Sequence, residues 1–429
     1  MRHYGNGLLI FAVFALTTGA EAQDAAATNQ SIIRIGQASG QAPTRKPIQV
    51  PDGFLESAGA QMKFARGPQL PAETLMQLQR MGTNAVVVNN EASEAAAVSA
   101  AKPAPTLETI PFWTGSFTFQ SVNFPFSMVG GNPADGGTTR IKNAIIPVSL
   151  VFDEFMDANG NPIVFDVTPT IGSVLNSPNF EKATYETGFT QFSDAIQRAE
   201  FWNIPQAQGD WHTLLRKPRL LTPVRVEVPA GLAVLFQHAN GAVLAIVNSF
   251  FFMSQVNTIE QLEPLKDDEI GFILTSNTVL GGSATDCCII GFHTAIDEGV
   301  QGNKHSLQIL AFASYLSPGD LGGGLFTDVT AISHEYAEVF DDPFMNNVVP
   351  KWLMSGNNPP NCENLLETGE IIDPLSNPNF PVTIDGFTYH PQTQALLQWF
   401  ARTSPSNAID GAYSFPDETV LTSPSSPCP

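Results

Sequence analysis

Short apolar runs bounded by turn residues mark the middle of the chain, and they predict strands. They fall at Trp113–Phe119, Ile145–Phe152, Arg225–Val228, Leu232–Phe236 and Val243–Phe252. Gly130-Gly131-Asn132-Pro133 and Asn159-Gly160-Asn161-Pro162 supply turns between them. Further strands are predicted at Ile270–Thr275 and Leu307–Leu316. Two stretches change to helical spacing. In Thr190–Trp202, Ala195, Ala199 and Trp202 share one face. From Asp328 to about Asp342, the residues Val329, Ile332, Tyr336, Val339 and Phe340 form an apolar stripe. Thr327 is placed to cap this second helix, and Pro343 disfavours helix at the residue before it.

The pattern is different at the N-terminus. Arg2 and His3 precede the apolar run Leu8–Leu16, and Ala20-Glu21-Ala22 follows. A basic start, a short apolar core and a small-x-small site read as a secretory signal cleaved after Ala22. The run is about half the ~20 residues that a membrane span needs, so no membrane anchor is expected. Residues 23–105 contain 17 Ala and 9 Gln, with Phe54 and Phe64 as their aromatics. Such a stretch buries little apolar surface alone and reads as a poorly packed extension, with a pro-segment or substrate-docking arm as the functional alternative. It has a helical fragment at Ala72–Met81 and a linker at Glu91–Pro105.

Charge sharpens this division. The 429-residue chain has 20 Lys and Arg against 41 Asp and Glu, a net charge of -21. The extension is close to neutral, so residues 106–429 carry the acidity. A nucleic-acid binder needs a basic stripe, and this balance argues against one. Anionic lipid is disfavoured in the same way. The chain is therefore expected to comprise a signal at 1–22, the extension at 23–105, a β-rich subdomain with one helix at 106–260, and a further subdomain at 261–429. Four cysteines, Cys287, Cys288, Cys362 and Cys428, fit disulfides in an oxidising compartment. The eight-membered ring of adjacent cysteines is strained, so Cys287 and Cys288 are expected to reach Cys362 and Cys428.

The second helix carries the chemistry. His334 and Glu338 are four apart and stack on one face. Zinc proteases with H-E-x-x-H use this geometry, two ligands at i and i+4 and a Glu at i+1 as general base. Here Glu338 stands at the second ligand position, and carboxylate oxygen is an accepted zinc ligand. Glu335 would then take the proton of a metal-acidified water. The third ligand is expected from Glu367-Thr368-Gly369-Glu370-Ile371-Ile372-Asp373-Pro374, with Glu370 as ligand and Asp373 and Asp342 orienting ligands from behind. Residues 320–373 hold ten carboxylates and one basic residue, Lys351. A cation relieves such crowding. A calcium ion on Asp341, Asp342, Glu370 and Asp373 is the structural alternative to zinc. In Cys288-Ile289-Ile290-Gly291-Phe292-His293, His293 is either a further ligand or oxyanion stabiliser, or a buried histidine tied down beside a disulfide. His212 is a weaker case of the same kind. The G-x-S-x-G elbow and the phosphate-cradling G-x-x-x-x-G-K-[ST] are absent.

The run His334-Glu335-x-x-Glu338-x-x-x-Asp342-Pro343, with Glu370-x-x-Asp373-Pro374, resembles secreted zincin-like proteins of bacteria and fungi. Thr190-Gln191-x-x-Asp194-Ala195-x-Gln197-Arg198-Ala199-x-Phe201-Trp202 and Cys288-x-x-Gly291-Phe292-His293 share the resemblance, which covers about residues 108–400. The first motif is also similar, over a shorter stretch, to plant phosphate-induced, EXORDIUM-type cell-wall proteins. The resemblance implies a secreted, metal-binding body. The expected fold is α+β: a zincin-like metal-site helix packed on a mixed sheet, with a β-rich N-terminal half and the Ala/Gln-rich extension. The expected activity is a zinc peptidase acting on peptide or cell-wall substrate, with the edge of strand Leu307–Leu316 holding the peptide. The alternative is a secreted binding or cell-wall-associated protein without catalysis, whose aromatics stack on carbohydrate.

Overall fold

In the computed structural model, strands dominate. The structure describes residues 32–36, 43–50, 63–66, 70, 106–208, 210–282, 287–321, 324–354 and 361–428. The signal, the helical fragment at 72–81 and the linker at 91–105 lie outside the described residues.

A mixed sheet of 16 strands organises the molecule. The strands that matter here are β1 (Ile33–Ile35), β2 (Ile48–Gln49), β3 (Lys63–Arg66), β4 (Gly137–Met156), β5 (Val224–Val228), β6 (Ala233–Gln237), β7 (Val243–Asn248), β8 (Glu269–Ser276), β9 (Thr278–Gly281), β10 (Ile289–Gln301) and β11 (Lys304–Leu321). Across the sheet they run β1-β5-β4-β8-β11-β10-β9-β7-β6-β2, and β3 lies parallel beside β10. From β1 to β11 every pairing is parallel; β11–β10 and β10–β9 are antiparallel. A two-residue loop, Gly302-Asn303, joins β10 to β11, and Gly302 takes φ 67° there, a value that costs glycine nothing. The sheet draws strands from residues 23–105, 106–260 and 261–429 alike.

Alternation along β11 builds a core on each face of the sheet. Ile309, Ala311 and Ala313 point to one side, and Leu310 and Phe312 to the other. Four helices matter here: α1 (Phe192–Glu200), α2 (Ser249–Leu262), α3 (Thr330–Asp341) and α4 (Leu397–Phe400). On the first face, Val329, Ile332, Tyr336, Val339 and Phe340 of α3 and its N-cap fill the core; Tyr336 stacks on Phe272 with ring centroids 4.6 Å apart. On the second face, Phe252, Val256 and Ile259 of α2 do so. Helix α1 packs against α3 and the C-terminal segment through Ala195, Ala199, Ala337, Leu396 and Phe415.

Several expectations are corrected. The α+β, zincin-like fold is not found: the described residues are mostly β and form a large curled mixed sheet. Long-range parallel pairing, which local patterning does not reveal, recruits even the Ala/Gln-rich extension into that sheet. The strand predicted to run to Phe252 ends at Asn248, whose Oδ1 accepts the N–H of Phe251 and starts α2. Val329, not Thr327, is the N-cap of α3, and Thr327 belongs to a short strand. Cys287 is bonded to Cys288, and Cys362 to Cys428. The two pairs differ in setting: Cys287 and Cys288 are buried with Ile290 in the core on one face of the sheet, whereas Cys362 is exposed and Cys428 is half-buried near the Trp352 carbonyl. Strand β11 has no free edge over Leu307–Leu316, because β8 and β10 flank it. Among the described residues no helix is long and apolar enough to cross a membrane.

Candidate metal centre

All twelve residues of α3 are buried. Glu335 and Glu338 are therefore not solvated surface charges. The helix lies against β10 and β11, so its polar stripe faces protein. Thr330 opens it: its hydroxyl accepts the N–H of Thr327 and has the carbonyls of Thr327 and His390 within reach of its one hydrogen.

The i, i+4 spacing brings His334 Nε2 to 3.0 Å from Glu338 Oε2. Glu370 Oε2 approaches the same nitrogen at 3.7 Å. The other ring nitrogen decides what Nε2 can do. Nδ1 lies 2.6 Å from Gln392 Oε1. The Gln392 amide has a fixed orientation, since its Nε2 donates to Asp373 Oδ1 at 2.6 Å and to the Gly369 carbonyl at 3.1 Å. Both of those partners are acceptors, so Oε1 faces His334 and Nδ1 carries the proton. In the neutral ring, the Nε2 lone pair then points at two carboxylates. Facing acceptors are met by a proton on one carboxyl or by a cation between them. Glu338 Oε1 is occupied separately, by the N–H of Gly369 at 2.9 Å.

Glu335 stands one step along the helix, fully buried. Its Oε2 is 3.3 Å from His293 Nδ1, and its Oε1 has no hydrogen-bond partner. His293 Nδ1 is also 3.5 Å from Glu338 Oε2. Two overlapping groups of ligand atoms therefore share Glu338: His334 with Glu370, and His293 with Glu335. Two glycines make room. A Cβ on Gly369 would come closer than 3.0 Å to the His334 ring, and one on Gly291 closer than 3.0 Å to Glu335. Backbone at these two points has to approach the site more closely than any other residue allows.

Burial pushes Glu335, Glu338 and Glu370 well above the usual carboxylate range, and neighbouring carboxylates push Glu335 and Glu370 further. Asp373 is pushed up to about 7 by burial, against the lowering effect of His334. Glu367, buried as well, adds its charge to the field on Glu335 and Glu338. One nitrogen and two carboxylate oxygens suit a divalent ion that takes mixed N and O ligands.

Asp373 orients His334 through Gln392, with a direct distance to Nδ1 of 3.9 Å. Asp342 does not join the site. The helix ends at Asp341, and both oxygens of Asp342 accept the N–H of Asn347, with Oδ1 also taking that of Asn346. The calcium arrangement expected on Asp341, Asp342, Glu370 and Asp373 is therefore not assembled, because the chain turns after Asp341 and separates the two pairs. His212 sits elsewhere, between Asp194 at 2.7 Å and Asp210 at 2.8 Å. Another acidic group, Glu186, Asp410 and Glu418, lies toward the surface. Sequence reasoning does not reach Gln392, and it meets Gly369 and Gly291 only as motif positions: the role of each comes from a distant partner. The edge of β10 beside His293 is covered by the backbone of β3, with Phe292 paired to Ala65 and His293 to Arg66.

No family model, curated protein or solved structure matches the chain.

Proposed function

We propose that this chain is a secreted, metal-dependent hydrolase, most simply a zinc peptidase, with His334, Glu338 and Glu370 as ligands and Glu335 as general base. The observation that carries this reading is the tautomer of His334. Gln392 and Asp373 hold the proton on Nδ1 and leave Nε2 facing Glu338 and Glu370. A zinc ion there supplies a Lewis acid and makes a bound water acidic near neutral pH. Glu335 has one oxygen without a hydrogen-bond partner, ready to accept a proton and return it to a leaving amine. His293, against the other oxygen of Glu335, fixes that carboxylate in place. The two disulfides fit an oxidising compartment and so support secretion.

A second reading has an observation of its own. His334 and Glu335 are completely buried, and β3 covers the neighbouring strand edge. A peptide reaching Glu335 along β10 would have to take the place of β3. That closure favours a secreted binding protein in which the ion is structural. Its carbohydrate-stacking form has less support, because the exposed aromatics Phe189, Phe250 and Phe387 lie on separate elements. Activity on an unbiased fluorogenic peptide mixture separates the two readings. The hydrolase predicts chelator-sensitive cleavage that Glu335→Gln abolishes while the metal stays bound. Metal-loaded protein with no cleavage favours the binding protein.

A further inference from the structure

The strand that covers β10 comes from the Ala/Gln-rich stretch before residue 106. Strand β3 is four residues long and runs parallel to β10, with Lys63 opposite Ile289, Ala65 opposite Phe292 and Arg66 opposite His293. Phe292 and His293 pair on their other side with Phe312 and Ala311 of β11. At these residues β3 therefore holds the outer edge of β10. That edge borders the proposed base. A Cβ on Gly291 would come closer than 3.0 Å to Glu335, and His293 Nδ1 is 3.3 Å from Glu335 Oε2. Leu70, just after β3, is buried in the core that α3 fills. The extension thus closes the β10 side of Glu335.

The hold of β3 on that edge is slight. Its register with β10 breaks between Ile289 and Phe292, whereas β10 and β11 keep one register from Gly291 to Asp297. A short strand with a broken register offers few ladder hydrogen bonds, and segments of that kind open at low free energy. The chain is fastened elsewhere on both sides of it. Before β3, β1 pairs with β5, and the N–H of Val50 donates to the Gln237 carbonyl at 2.9 Å. After it, Thr106–Glu108 pairs with Lys304–Ser306 of β11. A displaced β3 stays tethered at both ends and returns by an intramolecular step. What the uncovered edge offers is a row of backbone N–H and C=O groups at strand spacing. An extended peptide matches that row.

We propose that β10 from Ile289 to His293 is the peptide-binding edge of the site, and that β3 occupies it as the chain's own inhibitor. This rests on the hydrolase reading and names its substrate, an extended peptide segment that pairs with β10 in place of β3. With the strap in the same molecule, the open edge is a minor population, and the apparent affinity for a substrate falls by that fraction. The strap acts on KM and leaves kcat alone.

The test compares the full zinc-loaded chain with its Phe64→Pro/Ala65→Pro variant. Consecutive N–H groups of a strand point to opposite edges, so one of these two faces β10, and its loss breaks the ladder. A labelled synthetic peptide of residues 60–69 is titrated into each protein and followed by fluorescence anisotropy. The variant should bind it at least ~10-fold more tightly than the intact chain, whose edge is taken. For a fluorogenic peptide substrate, KM should fall at least ~10-fold in the variant while kcat stays within about twofold. The 60–69 peptide should inhibit the variant competitively. Hydrogen exchange on the wild type needs no variant, and the amides of β3 should exchange well before those of β11. Tighter peptide binding by the variant, with no cleavage by either protein, would keep the strap and sink the hydrolase reading. No gain in peptide binding overturns the strap, and cleavage by both proteins with equal KM would then leave the hydrolase standing. Amides of β3 that exchange only on global unfolding overturn the strap as well.

Discussion

The two buried polar clusters on α3 lie only turns apart, yet their neighbours give them different chemistry. Toward the middle of the helix, Glu338 meets His334, His293 and Glu370, so nitrogen enters the ligand set. At its end, Asp341 meets Glu200 and the Gln197 amide, so no imidazole faces it. The helix presents a carboxylate in both places. What differs is the partner element: strand β10 and the 367–373 segment in one case, α1 in the other. A carboxylate on a helix therefore has no fixed role, and the donors aimed at it from elsewhere assign one.

The largest expected effect separates base from ligand within the first cluster. Glu335→Gln should lower peptide cleavage by ~10³-fold or more while zinc content holds, on the scale of lost acid–base and electrostatic catalysis. Parallel loss of metal and activity would make Glu335 a ligand and merge the two overlapping groups around Glu338. Next comes the proton on His334. Replacing Gln392 with Leu removes the acceptor that fixes Nδ1–H and should weaken zinc binding about 10–100-fold, as measured by competition with a chromophoric chelator. An unchanged affinity would show that the tautomer needs no help from Gln392.

Crowding and charge give smaller effects. Gly369→Ala puts a methyl group into the His334 ring and should cost about 1–3 kcal/mol in denaturant unfolding. The same change at Gly302 should cost less, since its Cβ meets nothing, and only the positive φ is penalised. The metal-free protein should also lose stability as pH rises. Glu335, Glu338, Glu370 and Asp373 all hold their protons longer when folded than when unfolded. Their contribution is complete below the unfolded carboxylate pKa near 4 and is lost as pH climbs through the folded values, about 7 for Asp373. The expected drop is on the order of a few kcal/mol between about pH 4 and pH 8. Zinc should remove or invert that slope, because it binds the deprotonated groups. A metal-free protein that gains stability over this range would contradict the burial argument.

How far the sequence could be read follows the same contrast. Spacing on one helix is local information, so His334 and Glu338 are paired from the sequence, and the nearby acidic run draws attention to Glu370 and Asp373. Apolar alternation likewise reveals β5, β6, β8 and the middle of β11. What the sequence hides is long-range. Gln392 gains its meaning only when its segment folds back on His334. Glu200 reads as an ordinary helix residue until α1 packs against α3. The parallel pairing of β4 with both β5 and β8 is invisible to local patterning, and the fold class is misjudged for that reason. Two misses were local. Asn248 capping Phe251 signals the start of α2, but the run of three phenylalanines extends the strand pattern past it. For the cysteines, the ring strain of adjacent residues argues against the pairing that the fold adopts, Cys287 with Cys288 and Cys362 with Cys428.

The claim that His334, Glu338 and Glu370 form a metal centre is most directly tested by elemental analysis of the folded protein, purified without added metal. About one zinc per chain is expected in the wild type and in Glu335→Gln, and none in His334→Ala. Folded wild-type protein that carries no metal, takes up none from micromolar zinc and keeps the same Tm in chelator would contradict it.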